Sequence, residues 1–156
     1  MKKLIALLLV LFPALLAMSQ AGISSPDGKL RLQVDVADSV PYYQLHFKGK
    51  QVVHKSRLGL QLAQGTSMTD GFVLAHNETT TKNETWSPVL GEEKNITSHY
   101  TELLITLNQP KAKRNIQVRF RLFNDGLGFR YEFPQQKELN YFVIREEKTE
   151  IALKED

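Results

Sequence analysis

The chain has 156 residues, a formal net charge of +3 and no cysteine. The length fits one modest domain or part of a larger one. The lack of cysteine excludes a disulfide-stapled scaffold, so stability must come from a packed core. Two N-terminal lysines account for most of the net charge, and no cluster of lysine and arginine elsewhere predicts nucleic-acid binding.

Residues 1–21 are predicted to be a secretory signal peptide. Lys2 and Lys3 precede an apolar run, and the small residues Ser19 and Ala21 follow it, which is the order of a cleavable leader. Cleavage after Ser19 and cleavage after Ala21 both fit. The alternative is a membrane anchor, but the run is shorter than the roughly 20 residues that a spanning helix needs. We expect export to the periplasm or cell envelope of a bacterium, with no membrane span after cleavage.

The remaining residues, 22–156, are predicted to form an all-β, antiparallel β-sandwich. Apolar residues recur at every second position, and turn signals separate the segments that show this alternation. The predicted strands before the last hairpin cover residues 29–37, 42–47, 51–54, 58–62, 72–75 and 102–107. After it they cover 140–145 and 149–153. Because the strand pattern continues almost to the last residue, the sandwich is expected to be incomplete.

Residues 77–95 interrupt this pattern and are predicted to be a long polar loop. The segment is rich in threonine, asparagine and glutamate, yet it contains Trp86, the only tryptophan of the chain. Long loops in compact domains are usually functional or disordered. The apolar residues beside Trp86 argue against disorder, so we expect the loop to fold against something. Trp86 could stack on a sugar ring or anchor the loop, and anchoring is favoured. Glu84 and Glu92, which flank Trp86, are the candidate polar residues for a site there.

Residues 116–134 are predicted to form a β-hairpin with a two-residue type I′ turn at Asp125 and Gly126. Both arms alternate, and this turn would place Leu122 opposite Phe129 and Phe120 opposite Tyr131. It would also place Val118 opposite Phe133. A three-residue loop would bring a charged residue opposite an apolar one, so the apolar pattern selects the two-residue turn.

The same register predicts like charges on the other face of the hairpin. Arg121 would lie opposite Arg130, and Arg119 opposite Glu132. Like charges directly opposite each other destabilise a sheet. We therefore expect an acidic partner, in sequence that this chain lacks, to lie over Arg121 and Arg130. An anion site is the alternative, but an ion-pair ladder in an interface is favoured because arginine pairs well with carboxylates.

Known catalytic signatures are absent from the sequence. There is no G-x-S-x-G motif, no P-loop and no H-E-x-x-H motif, and the four histidines show no metal-ligand spacing. Adjacent glutamates such as Glu146 and Glu147 would point to opposite faces of a strand, which disfavours a glycosidic acid and base pair. No catalytic residue, metal ligand or cofactor is therefore predicted in this chain.

Five segments in order resemble the N-terminal domain of glycoside hydrolase family 97, the bacterial α-glucosidase and α-galactosidase family. They are SPDGKL, YYQLHFKGKQVVHKSRLGLQL, ETWSPVLGEEKNITSHYTEL, FRLFNDGLGFRYEFP and EEKTEIAL. Trp86, Gly91 and Glu92 match the loop motif of that family. The hairpin motif is matched by Arg121, Asp125, Gly126 and Arg130.

The resemblance implies a galactose-mutarotase-like super-sandwich that precedes a catalytic (β/α)8 barrel, packs on it and borders its active site. The catalytic residues and most calcium ligands of such enzymes belong to the barrel, which this chain lacks. Trp86, Glu92, Arg121 and Arg130 become candidates for the substrate rim or for interdomain contact. Calcium is expected only in the full-length enzyme.

The predicted function is therefore to support and border the sugar site of an exported, exo-acting α-glycosidase that acts on α-linked oligosaccharides. The chain alone is expected to be inactive. The alternative is a stand-alone, non-catalytic carbohydrate-binding module of the bacterial envelope. A third possibility is a purely structural envelope protein.

Overall fold

The computed structural model describes residues 20–90, 92 and 94–153, and this part of the chain is built almost entirely from β-strands. The signal-peptide prediction falls outside the described residues except for its last two positions. In chain order the strands are β1 (Gln20–Ser24), β2 (Leu30–Ala37), β3 (Val40–Phe47), β4 (Lys50–Arg57), β5 (Leu60–Leu62), β6 (Val73–Trp86), β7 (Ile96–Gln109), β8 (Arg114–Leu122), β9 (Leu127–Glu132) and β10 (Ile144–Glu147). Two short 3-10 helices cover Pro110–Ala112 and Lys137–Leu139.

The strands form two four-stranded antiparallel sheets and a small third sheet. The first sheet has the order β1-β2-β3-β4, and the second has the order β6-β7-β8-β9. Strands β5 and β10 pair at one end. Every sequential neighbour within a four-stranded sheet is a hairpin partner, so the topology follows directly from the turns that the sequence carries.

The core lies between the two large sheets and is lined by the inward residues of each strand. From the first sheet, Leu32 and Tyr43 are almost fully buried, and from the second, Ile105 and Phe120 are fully buried. The ring of Tyr43 lies 6.3 Å from that of Phe120, which joins the two sheets through aromatic contact. Each such side chain stabilises the fold by roughly 1.5–3 kcal/mol through burial. The prediction of an all-β antiparallel sandwich is confirmed.

The structure differs from the predicted strands in three places. Strand β1 was missed because Gln20 and Ala21 were assigned to the leader, whereas Ala21 is buried in the core. The strand predicted at 140–145 begins later, at Ile144, because a 3-10 helix and a bend occupy the preceding residues. The segment predicted as a strand at 149–153 follows β4, where the Ala152 carbonyl accepts a hydrogen bond from the His54 amide, without forming a regular ladder.

Apolar side chains remain exposed along the last part of the chain. Tyr141 and Leu153 are more than half exposed, and Val143 and Ile144 are close to half exposed. The described residues contain no helix that is long and apolar enough to cross a membrane.

Candidate functional site

The outward-facing side of the second sheet carries most of the residues that the sequence marked as candidates. In β8, Phe120 and Leu122 point into the core, so Arg119 and Arg121 between them point outward. On the neighbouring strand β7, Glu102 is the cross-strand partner of Arg121, and alternation places it on the same side. We call this surface the outer face of the second sheet.

Two carboxylates and three guanidinium groups form one continuous network on this outer face. Glu102 accepts a hydrogen bond from Arg119 at 2.5 Å and another from Arg121 Nε at 2.9 Å. Glu132 accepts two bonds from Arg119, at 2.6 and 3.0 Å, which is the bidentate geometry that arginine makes well. Glu132 also accepts from Arg130 Nε at 2.8 Å. Each carboxylate therefore joins two arginines.

The arginines keep both carboxyl groups ionised. Hydrogen bonding from Arg119 lowers the pKa of Glu132 from 4.5 to about 2. Burial by itself would raise the pKa of Glu102, but the bonds from Arg121 and Arg119 outweigh it and the net pKa is lowered. A general acid in glycoside hydrolysis needs a raised pKa. Neither glutamate is suited to that role, and the network is better suited to holding a surface in one shape.

Arg121 links this network to the long hairpin formed by β6 and β7. Its guanidinium carbon lies 4.7 Å from the ring centre of Tyr100, in cation–π geometry. Tyr100 is buried, contacts Phe123 and donates a hydrogen bond from its hydroxyl to Glu84 at 3.2 Å. The sequence marked Glu84 as a candidate beside Trp86 but did not mark Glu102 or Tyr100. Both of the missed residues alternate with the buried apolar residues of β7, and this alternation was the available signal.

The predicted register of the β8–β9 hairpin is wrong by two residues. Leu122 pairs with Leu127 and Phe120 with Phe129, and the Phe123 amide bonds to the Gly126 carbonyl at 2.9 Å. The turn is therefore centred on Asn124 and Asp125, with no positive φ at Asp125 or Gly126. A slip of two residues leaves every side chain on the same face, so the apolar pattern could not detect it. The prediction of which hairpin side chains face the core and which face outward is correct.

The new register also changes the charge pairs and removes the need for an outside acid. Arg119 lies opposite Arg130, and Arg121 lies opposite Gly128. Both Arg121 and Arg130 are already bound by carboxylates of this chain, at 2.9 and 2.7 Å. The prediction that their acidic partner lies in missing sequence is therefore wrong. Glu102 was overlooked because its pairing with Arg121 joins two separate predicted strands.

The segment predicted as a loop at 77–95 is mostly β-structure. Strands β6 and β7 pair without interruption from His76 opposite Thr106 to Trp86 opposite Ile96. The β8 pairing ends at Thr101 opposite Leu122, so the two strands continue beyond the sheet as a hairpin. This hairpin is largely exposed apart from Tyr100 at its base. We call this extension, residues 82–86 and 96–100 with their connection, the β6–β7 arm.

Trp86 and Glu92 lie at the far end of this arm. Trp86 is 47% exposed. Thr80 pairs with Glu102, which in turn pairs with Arg121, so Thr80 lies on the outer face. Trp86 is an even number of residues from Thr80 on the same strand and therefore lies on the outer face as well. Glu92 is exposed in the connection at the tip, where Val89 and Leu90 are also almost fully exposed. Gly91 of the same motif lies outside the described residues. The structure thus places Trp86 and Arg121 on one face and leaves Glu92 at the tip.

Metal ligands do not gather in the part of the chain that the structure describes. No group of three histidine, aspartate or glutamate side chains there is arranged to hold a metal ion. A groove of about 190 Å³ lies beside the arginines on the outer face and includes Phe123 and Gly128 in its lining. The chemistry available at this face is hydrogen bonding and aromatic contact.

Comparison with known proteins gives a consistent result. The family model described as glycosyl-hydrolase 97 N-terminal matches residues 23–156. A retaining alpha-galactosidase of Bacteroides thetaiotaomicron is 27% identical over 133 residues, which are 84% of this chain and 19% of that enzyme. A glycoside hydrolase family 97 enzyme from Pseudoalteromonas sp. strain K8, solved in complex with panose, is 32% identical with a TM-score of 0.80.

That structural match covers 85% of this chain and 20% of the enzyme. The crystal structure of a beta-arabinopyranosidase is 25% identical with a TM-score of 0.74, covering 83% of this chain and 20% of that one. The chain therefore spans about a fifth of the length of the relatives it matches.

Proposed function

The chain belongs to the glycosyl-hydrolase 97 N-terminal family, and from that premise we propose that it is the supporting β-sandwich of an exported, exo-acting α-glycosidase. In this proposal the outer face of the second sheet packs on a catalytic (β/α)8 barrel, and the β6–β7 arm borders the active site. The observation that carries the proposal is that Trp86 and Arg121 share this outer face.

The chemistry of the outer face supports a contact surface better than a reaction centre. Its carboxylates are held ionised by arginines, which suits a rigid polar interface and not proton transfer. Arg121 uses only its Nε within the described part of the chain, so its two terminal nitrogens can donate to a partner. The similarity to an alpha-galactosidase supports an α-linked oligosaccharide as the substrate of the whole enzyme.

An activity assay tests the supporting role directly. We expect purified chain to release no nitrophenol from 4-nitrophenyl α-galactoside or 4-nitrophenyl α-glucoside. Sugar release that survives purification to homogeneity and disappears in the Glu132→Gln variant would overturn the proposal, because it would place catalysis in the sandwich itself.

A second experiment tests the contact with the barrel. DNA sequence following the codon for Asp156 is expected to continue in frame into alternating strand and helix patterns. In the longer protein so defined, Arg121→Gln should lower the activity, and it should lower the melting temperature by more than it does in the isolated chain, where only the bond to Glu102 is lost. Arg31→Gln, on the opposite sheet, should change neither. Equal effects of the two substitutions would argue against an interface at the outer face.

The stand-alone carbohydrate-binding module remains the second candidate, because the Trp86 indole is 47% exposed at the end of the arm. Exposed aromatic rings are suited to stacking on sugars. Titration of the isolated chain with α-linked oligosaccharides, followed by Trp86 fluorescence, separates the candidates. The supporting role predicts no response, and a saturable response that Glu92→Gln weakens would favour the binding module.

Calcium and export are further parts of the proposal. In this proposal calcium belongs to the whole enzyme, as the family resemblance implies, and no step here depends on it. Export predicts processing after Ser19, because Ala21 is only 5% exposed and belongs to the core. Mass spectrometry of the periplasmic fraction should find Gln20 at the mature N-terminus. Intact chain retained in the cytoplasm would contradict export.

A further inference from the structure

Arg114, at the start of β8, is a buried arginine at the opposite end of the strand from the turn. Its side chain points inward, and the residue is only 6% exposed. Its Nε donates to Gln109 Oε1 at 2.8 Å, and its Nη2 donates to the carbonyl oxygens of Thr66 at 2.5 Å and Ser67 at 3.3 Å. These bonds hold the loop after β5 against the second sheet.

The charge of this guanidinium has no ionic counterpart within the described part of the chain. No aspartate or glutamate there forms an ion pair with Arg114, and its Nη1 donates no hydrogen bond there. The three arginines of the outer face are each bound by a carboxylate, although they are more exposed. Carbonyl groups satisfy hydrogen bonds but do not neutralise a buried charge. Burial accordingly lowers the pKa of Arg114, which remains protonated.

A cavity of about 410 Å³ opens beside Arg114. Its wall mixes polar and apolar groups, and one side is formed by the segment after the second 3-10 helix. The lining includes Leu62, Leu139, Tyr141, Phe142 and Val143. Glu138 lies at the exposed rim, too far from the guanidinium for an ion pair. Attraction between a bound anion and the guanidinium is strengthened because Arg114 itself is buried away from bulk water.

We infer that this cavity binds a small carboxylate, whose oxygens pair with the guanidinium of Arg114. The buried and unneutralised charge supplies the attraction, and the cavity volume supplies room for a group larger than water. Two sources share this chemistry. One is a free acid such as a uronic acid, whose ring would lie along the aromatic wall. The other is an aspartate or glutamate side chain of a protein segment outside the described residues.

Titration of isotope-labelled chain tests the inference, with acetate, glucuronate and neutral glucose as probes at constant ionic strength. Acetate and glucuronate should produce saturable shifts of the backbone amides of residues 63–67 and 139–143, and glucose should not. Arg114→Gln should weaken acetate binding at least about tenfold, as expected for a charge-assisted bond. The matched control is Arg31→Gln, which removes one exposed positive charge on the first sheet, outside the cavity lining, and should leave the affinity unchanged.

A second variant avoids disturbing the loop that Arg114 holds. Glu138 is exposed and forms no hydrogen bond through its side chain among the described residues, so Glu138→Gln should fold normally. It should tighten acetate binding by roughly two- to threefold, because it removes a competing negative charge at the rim. Unchanged affinity in Arg114→Gln, or weaker binding in Glu138→Gln, would overturn the inference.

The same titration separates the two sources. Glucuronate binding at least about tenfold tighter than acetate would identify a sugar acid as the source, since only the ring adds contacts. Tighter binding of blocked N-acetyl aspartate amide than of glucuronate would identify a protein side chain. Shifts caused equally by glucose, or confined to residues outside the cavity, would also overturn the inference. None of these outcomes depends on the proposed role of the outer face.

Discussion

The β8–β9 hairpin and the β6–β7 arm are two hairpins of one sheet, but only the first was predicted as a hairpin from the amino-acid sequence. In β8, the inward residues are apolar and fully or almost fully buried, from Ile116 to Leu122. In the arm, both faces are largely exposed apart from the buried Tyr100 at its base, and residues such as Lys82 and Asn83 show no apolar alternation. An alternating apolar pattern therefore indicates that one face of a strand is buried. A strand that is exposed on both faces does not produce this pattern.

The same contrast applies to what stabilises each hairpin. The β8–β9 hairpin is held by core packing on one face and by a carboxylate–arginine network on the other. The arm is held by its backbone ladder and by the contact between Tyr100 and Glu84 near its base. An isolated two-stranded hairpin is marginally stable in water. The arm should consequently open locally without unfolding the sandwich.

The largest difference is expected from removing one aromatic ring in each region. Phe120→Ala should lower the free energy of unfolding by about 3–5 kcal/mol, because the ring is fully buried between Tyr43 and Phe129. Trp86→Ala should cost less than about 1 kcal/mol. Urea unfolding followed by far-ultraviolet circular dichroism measures both. Equal losses would mean that the arm unfolds together with the core.

A smaller difference is expected for carboxylates. Glu102→Gln should cost about 2 kcal/mol, because two arginines lose a charged partner that is only 7% exposed. Its counterpart in the arm, Glu84→Gln, should cost less than about 0.5 kcal/mol because the residue is exposed. Thermal unfolding of the two variants at neutral pH provides the measurement. A larger effect at Glu84 would contradict the described network.

Acid should weaken the β8–β9 hairpin through Glu132. The pKa of this carboxyl is lowered to about 2 in the folded chain, so its stabilising contribution is present above its ordinary pKa of 4.5 and is lost as the pH falls toward 2. The deficit of Glu132→Gln relative to the native chain should be roughly 1–2 kcal/mol at neutral pH, allowing for solvent screening, and should approach zero near pH 2. A deficit that does not change over this range would exclude an ionic role.

The smallest effect is expected at the turn of the β8–β9 hairpin. Gly126 has no positive φ, and a Cβ added there would meet no atom within 4 Å, so Gly126→Ala should change stability by less than about 0.5 kcal/mol. The matched control is Gly71→Ala just before β6, where φ is +73° and a loss of about 1 kcal/mol is expected. Comparable losses in the two variants would restore the type I′ turn at Asp125 and Gly126.

The two hairpins differ in how much of their structure could be predicted from the sequence. The inward positions of β2, β7 and β8 could be predicted from the sequence, because burial of one face of a strand places apolar residues at every second position. The exact partner across the β8–β9 hairpin was not readable, because a shift of two residues preserves that period. The Glu102–Arg121 pair was not readable either, since it depends on which predicted strands become neighbours. Trp86 was correctly singled out as unusual, but a polar strand exposed on both faces resembles a loop.

The open edge of β6 has a practical consequence for producing the protein. This strand has β7 on one side and no strand on the other within the described residues, so a row of its backbone groups is available for pairing with another chain. Asn77, Asn83 and Asn95 lie in or beside the arm within N-x-T sequons. A eukaryotic secretory host would therefore attach glycans on β6 and on the connection of the arm, which should hinder self-association through this edge and cover the arm. Material from a bacterial host keeps the arm bare, and concentrated samples of it are expected to associate first through this edge.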